Sequence, residues 1–277
     1  MSGSTALERL GLTYSPAGSE LGIELGRSPG MAPHLRGVPR HDEMVDARGD
    51  VRRSWRGVGQ ALGEVGPGGL RERARTIARL LADDGATYRA PTTGTERLWS
   101  LDPLPMVVDA AQWVGLERGL VQRAELLDHV LADLYGPRRL ITSGLIPPEV
   151  VYGHPGFIRQ VDGITLPAAR QLFLASADLA RDSAGQWRVL GDRTQAASGA
   201  GYAMENRGVL SRALPGLYRG TGVHRIAPFF HTMRRALQQL AHDDAAARVV
   251  LLTPGAHSET AFDQALLSSL LGFPLVE

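Results

Sequence analysis

Apolar residues recur at helical spacing along several stretches of the chain. Leu70, Ala74, Ile77 and Leu81 mark one face of an amphipathic helix that runs to about Asp83. Leu120, Ala124, Leu127, Leu131 and Leu134 mark a stronger one, which stops before Gly136-Pro137. Phe230, Met233, Leu237 and Leu240 mark another. Val51 to Leu62 reads as a short helix, with Pro67-Gly68-Gly69 as punctuation after it. Elsewhere periodicity is weak. Residues 1 to about 40 are rich in Gly, Pro and Ser and read as a poorly ordered or wrapping arm, and His41 to Asp46 opens the ordered part. Pro91 to Thr95 reads as a turn, Leu101 to Val108 as a proline-broken extended segment, and Arg138 to Phe157 as loop-rich.

The pattern changes period between Leu172 and Leu190. Asp182-Ser183-Ala184-Gly185 is a turn signal, because Asp and Gly tolerate the backbone angles a hairpin needs. Trp187, Val189 and Leu190 form the apolar strand beyond it. This hairpin carries Asp178 and Asp192 on its two strands and brings them close across the sheet. Two carboxylates on neighbouring strands suit a Mg²⁺ that keeps waters and takes its other ligands from nucleotide phosphates. From the spacing alone, a surface hairpin with ordinary solvated acids is the simpler reading. Ser198-Gly199-Ala200-Gly201 follows; its backbone N–H groups could cradle a phosphate, or it is a plain flexible connection.

Near the end, Arg248 to Leu252 reads as a short buried strand turned by Thr253-Pro254-Gly255. Ser258 is the expected N-cap of a helix carrying Phe262, Leu266 and Leu270. Gly272 ends that helix, and Phe273 to Val276 reads as the next strand. This is a β-α-β unit, the start of a Rossmann-like layer. Gly255, His257 and Glu259 sit between strand and helix, where α/β folds bind ligands. A helix start with a favourable acid in its first turn accounts for them too. A lone β-α-β unit does not cover its own sheet faces, so the chain is expected to be the N-terminal part of a longer protein.

Composition narrows the function classes. Of 277 residues, 43% are hydrophobic and 21% charged, which is the balance of a globular protein with a sizeable core. A formal net charge of +1 gives no electrostatic reason to expect nucleic acid or a membrane surface. No apolar run approaches the roughly 18 residues of a membrane span. The first residues lack a signal-peptide pattern, so the expected location is cytoplasmic. The chain has no cysteine, which removes disulfides and thiolate metal sites. All 30 basic residues are Arg, so no lysine here forms a Schiff base or clamps a phosphate. The eight His show no metal-like spacing, and His224 and His231 stand seven apart. Asp42, Glu43 and Asp46 read as an acidic helix start, and Arg71, Arg73, Arg75 and Arg79 as a basic face balanced by Glu72, Asp83 and Asp84. No Gly-x-Ser-x-Gly elbow or Walker-type loop is present.

Several blocks together resemble a known family. They are DEMVDARGDVRRSW at 42–55, the long block at 101–151 that opens LDPLPMVVDAAQWVGLERG, ADLARDSAGQWRVLGDRTQAASGAGYAMENR at 177–207, and VVLLTPGAHSETAFDQALLSSLLGFPLVE at 249–277. In this order they resemble the circularly permuted type 2 ATP-grasp family, bacterial relatives of glutathionylspermidine synthase. Any one block alone would be weak; their conjunction is specific.

The resemblance implies an α+β, α/β fold of the circularly permuted ATP-grasp type, with a helical N-terminal region and an antiparallel β-hairpin core. It implies three parts: the arm at 1–40, the metal-binding half of the domain at 41–245, and the beginning of a pre-ATP-grasp β-α-β domain at 246–277. It implies an ATP- and Mg²⁺-dependent carboxylate–amine ligase acting through an acyl phosphate, on a small-molecule or peptide carboxylate and an amine. By its pattern Asp178 and Asp192 are metal ligands. Many members carry Glu-x-Asn at the second position, where this chain has Asp192-Arg193-Thr194, so Glu205 or Asn206 is the third ligand. Arg181 and Arg207 become partners for phosphate or a substrate carboxylate, since a guanidinium binds either in bidentate fashion. The half that clamps the nucleotide with lysines comes later in such proteins, so residues 1–277 alone are expected to be weakly active or inactive, with another chain a candidate to supply the missing half. The other function class is a non-catalytic binding or scaffold protein on a degraded ATP-grasp fold.

Overall fold

The computed structural model describes residues 41–90, 92–164, 170–240 and 248–277. The expected arm over 1–40 and the expected boundary at 245/246 lie outside the described residues. In chain order the elements are α1 (Arg56–Asp83), β1 (Thr87–Arg89), β2 (Glu96–Leu98), α2 (Ala110–Leu134), α3 (Arg139–Thr142), α4 (Pro148–Tyr152), β3 (Ser176–Arg181) and β4 (Trp187–Arg193). They continue with α5 (Ala200–Ala213), α6 (Pro215–Thr221), α7 (Ala227–Leu240), β5 (Leu251–Leu252), α8 (Ala261–Leu271) and β6 (Leu275–Val276). The chain divides into two compact units. The first takes the described residues up to Val108, then Arg181–Gln186 and Ser198–Glu277; the second takes Asp109–Ala180 and Trp187–Ala197.

The first unit is built on α1. The two helices expected at Val51–Leu62 and Leu70–Asp83 both form within α1, separated by a break at Gly66, whose φ of 65° and ψ of 172° are not helical. Glycine adopts that positive φ without a Cβ clash, and Pro67 next to it restarts a helix where its missing N–H costs nothing. Val58, Leu62, Leu70, Ile77 and Leu81 face inward from α1. They cluster with Trp55 and with Val209, Leu210, Ala213, Leu214 and Leu217 of the α5–α6 region. The buried core is therefore helical; the expected hairpin core is corrected, because the hairpin strands have no buried position.

The expected β-α-β unit is present in the same unit. β5 and β6 run parallel, with Leu251 opposite Leu275 and Leu252 opposite Val276. α8 connects them and ends at Gly272, with φ 67°. Its N-cap is Thr260, with no side-chain cap bond, so the expectation for Ser258 is corrected. Ser258 instead turns the approach, its Oγ accepting from Gln264 Nε2 at 3.1 Å. Phe230 of α7, Leu271 and Phe273 form a second buried cluster. An aromatic ladder ties these parts together: Trp99 stacks on Tyr202 at 4.2 Å between centroids, and Tyr88 and Phe262 flank that pair. β1 and β2 pair antiparallel, Tyr88 opposite Arg97.

The second unit is organised along α2. Asp109 caps it, accepting from Gln112 N at 2.8 Å, and it ends before Gly136-Pro137 as expected. The expected loop at 138–157 contains the short helices α3 and α4. Asp133 explains the first, since its two carboxylate oxygens accept from Arg139 N and Leu140 N at 2.9 Å each. Pro148 starts the second at the position where proline is tolerated. β3 and β4 pair as a two-stranded sheet.

Candidate functional site

The hairpin turn forms as the sequence indicates. Asp182 N donates to Gln186 O at 3.0 Å, and Asp182 Oδ1 accepts from Ala184 N and Gln186 N at 3.0 and 2.8 Å. Gly185 has φ +78°, and a Cβ there would fall 2.5 Å from His41 Nδ1, so two requirements select glycine. Arg181 lies at this tip with a side chain only 10% exposed, its Nε 2.6 Å from Glu43 Oε1. Its Nη1 donates to Gly185 O at 2.8 Å. The guanidinium clamps the hairpin tip to the 41–45 segment.

The two hairpin acids are both held by arginines. Asp192 takes a bidentate pair from Arg123 of α2, Nε to Oδ1 and Nη2 to Oδ2, each at 2.6 Å. The Arg123 guanidinium holds the Asp192 carboxyl below the usual carboxylate range. Asp178 accepts from Arg193 Nη2, next to Asp192 in sequence, at 3.1 Å. Among the described residues no group of three or more His, Asp or Glu side chains gathers as a metal cage. Two carboxylates on paired strands still suit a Mg²⁺ whose remaining ligands are phosphate oxygens and water, because Mg²⁺ is commonly held through one or two carboxylates.

The Glu205-Asn206-Arg207 cluster lies on α5, in the first unit, whereas Asp178 and Asp192 lie in the second. Asn206 Oδ1 accepts from Trp99 Nε1 at 2.8 Å. Glu205 is mostly buried near Arg212, whose Nη2 is 3.6 Å from Oε1. Burial first, then hydrogen bonding with Asp84, pushes the Glu205 carboxyl up. Asp84 is pulled down by its hydrogen bond from Arg212, at 2.5 Å. Arg207 sits over the Tyr218 ring, 5.8 Å from its centroid.

The glycine-rich stretch is the start of α5. Gly199 takes a left-handed φ of 108°, and Ser198 is exposed. A helix N-terminus of this form attracts anions, and here a carboxylate of the protein takes the position. Asp263 of α8, 1% exposed, accepts from Gly199 N at 2.9 Å and Tyr202 N at 3.0 Å. A Cβ on Gly201 would lie 2.8 Å from Asp263 Oδ1 and 2.9 Å from its carbonyl oxygen. At the carboxyl end of β5, Gly255 is buried with φ +88°, its N–H donating to Thr253 Oγ1 at 3.0 Å, while His257 and Glu259 are exposed.

Sequence reasoning missed three residues that organise these places: Arg123, Asp263 and Arg212. Asp263 had a visible signal, a lone acid inside the apolar run Ala261 to Leu267. Arg123 and Arg212 had none, because their partners stand 69 and 128 positions away.

The family model described as circularly permuted ATP-grasp type 2 matches residues 105–277. The chain belongs to this ATP-grasp family. The match takes in the hairpin, α5 and the β-α-β unit. An uncharacterized protein of Mycobacterium tuberculosis (strain H37Rv) is 48% identical over 249 residues, which is 86% of this chain and 28% of that protein. One from Mycobacterium leprae is 36% identical over 237 residues, 85% of this chain and 42% of its own length. One from Synechocystis is 32% identical over 240 residues, 86% of this chain and half of its own length. The chain thus spans less than a third of the mycobacterial relative it matches at 48%. Among the described residues no helix is long and apolar enough to cross a membrane.

Proposed function

We propose that this chain contributes the metal-binding acids of an ATP-dependent carboxylate–amine ligase. The supporting observation is membership of the ATP-grasp family over a stretch that contains both hairpin acids. Asp178 and Asp192 would hold Mg²⁺ with ATP; the bound ion would neutralise charge on the transferring phosphoryl group. Asn206 is engaged by Trp99 and Glu205 by Asp84 and Arg212, so the reading rests on the two hairpin acids. Arg181 serves as the clamp of the hairpin tip, and Arg207 remains a candidate for phosphate or carboxylate. His257 and Glu259, exposed beside β5, are candidates for contact with a substrate carboxylate or amine. The lysine grip on the nucleotide would come from outside residues 1–277, from further sequence or a partner chain, in the cytoplasm.

Calorimetry tests this. Mg²⁺-dependent ATP binding by the protein, lost in the Asp178→Ala/Asp192→Ala double variant, is the expected result. Binding that ignores both Mg²⁺ and the two substitutions overturns the reading. A second reading, a non-catalytic binding protein on this fold, is favoured by one observation: each hairpin acid already has an arginine partner. It requires that the acids never exchange those partners for a metal.

A further inference from the structure

The two hairpin acids are held unequally. Among the described residues Asp178 accepts one side-chain hydrogen bond, from Arg193 at 3.1 Å, and both side chains are more than half exposed. Asp192 is locked in a planar fork with two bonds at 2.6 Å, and its side chain is only 18% exposed. The Arg123 side chain is 45% exposed, so it has room to leave. A guanidinium fork matches phosphate as well as it matches carboxylate.

We propose that Arg123 guards Asp192: it occupies the carboxylate while no nucleotide is present, and takes a nucleotide phosphate when the carboxylate turns to the metal. The proposal rests on the nucleotide site proposed above. A bare cation reaching Asp192 leaves Arg123 with no partner. A metal–nucleotide complex brings a replacement acceptor with it. Arg123 therefore selects metal–phosphate complexes over free metal, a discrimination that the two acids alone do not make.

The role demands effects of opposite sign from one substitution. Mn²⁺ serves as the probe, with free ion read by electron paramagnetic resonance, and Mg·ATP binding is read by calorimetry. Arg123→Gln is expected to bind Mn²⁺ roughly fivefold more tightly and Mg·ATP roughly fivefold more weakly, the scale of one partly exposed ion pair. Arg123→Lys keeps the charge without the fork and falls between. Circular dichroism of both variants checks the fold. If Arg123→Gln weakens both ligands or leaves both unchanged while Asp192→Asn abolishes Mg·ATP binding, Arg123 is a structural pin and the guarding role is overturned with the site intact. If Asp192→Asn changes neither ligand, the nucleotide site itself falls, and the guarding role with it.

Discussion

The two units keep their shape by different means. In the first, Ile77 and Leu81 are 1% exposed and Val209 is fully buried, so α1, α5 and α6 are fitted to one another by side-chain packing. In the second, only Asp128 and Val151 are buried among the described residues, while Val114 and Leu126 are each 62% exposed and Leu190 71%. Carboxylates do the organising there. Asp128 accepts from Gln171 N and Leu172 N at 2.6 and 2.7 Å, Asp133 caps α3, and Asp162 pairs with Arg138. Packing favours one arrangement strongly; exchangeable ion pairs permit several. The hairpin acids proposed to meet Mg²⁺ lie on the exchangeable side.

Paired truncations put the largest strain on that contrast. Ile77→Ala removes a fully packed side chain from the first unit and should cost about 2–5 kcal/mol in urea unfolding. Leu126→Ala removes an equally apolar side chain that already faces water, and should stay within about 0.5 kcal/mol. Equal losses would mean that the exposed face of α2 is covered in solution.

Asp263 offers a smaller test within the first unit. Asp263→Ala leaves the Gly199 and Tyr202 N–H groups without their acceptor inside the protein, which should cost about 1–3 kcal/mol. Gly201→Ala should destabilise for a related reason, since its new methyl meets Asp263 in both side chain and backbone. Denaturant midpoints of both variants check this. An unchanged midpoint in Asp263→Ala would show that the N-terminus of α5 accepts another anion, which would restore Gly199 as a phosphate site.

Local signals carried much of the architecture and little of the site. The α1 and α2 faces, the Asp182–Gly185 turn and the Gly272 stop follow from period and turn chemistry within a few residues. They are legible because their causes are local. The break at Gly66 separates the two expected helical stretches, and the Pro67-Gly68-Gly69 punctuation placed it within a residue. Arg181 looked like a ligand for phosphate, yet Glu43, far back in the chain, takes it. The Gly199 loop looked like an anion cradle, and its geometry is one, but the acid that enters it comes from α8. Residue type indicates what a group binds; only the fold decides which partner arrives.

Alkaline pH separates the units most finely. Tyr202 donates its hydroxyl to Thr87 O at 2.6 Å and is 5% exposed. Burial, with the Asp263 charge second, pushes its phenol up from 10.0 to about 12. Between these values the unfolded chain loses the phenolic proton and the folded chain keeps it. The Tyr202 contribution to stability is therefore fully present below pH 10 and is lost as pH rises toward 12, by on the order of 2 kcal/mol. The Arg123–Asp192 pair of the second unit adds nothing to that slope: Asp192 raises the Arg123 guanidinium further above its already high value, and Asp192 is ionised throughout. Tyr202→Phe should cost about 1 kcal/mol at pH 8 through the lost hydrogen bond and should show a flatter decline above pH 10. Urea midpoints at pH 8, 10 and 11 decide the matter. A decline in Tyr202→Phe as steep as in the parent protein would place the alkaline weakness outside the aromatic ladder.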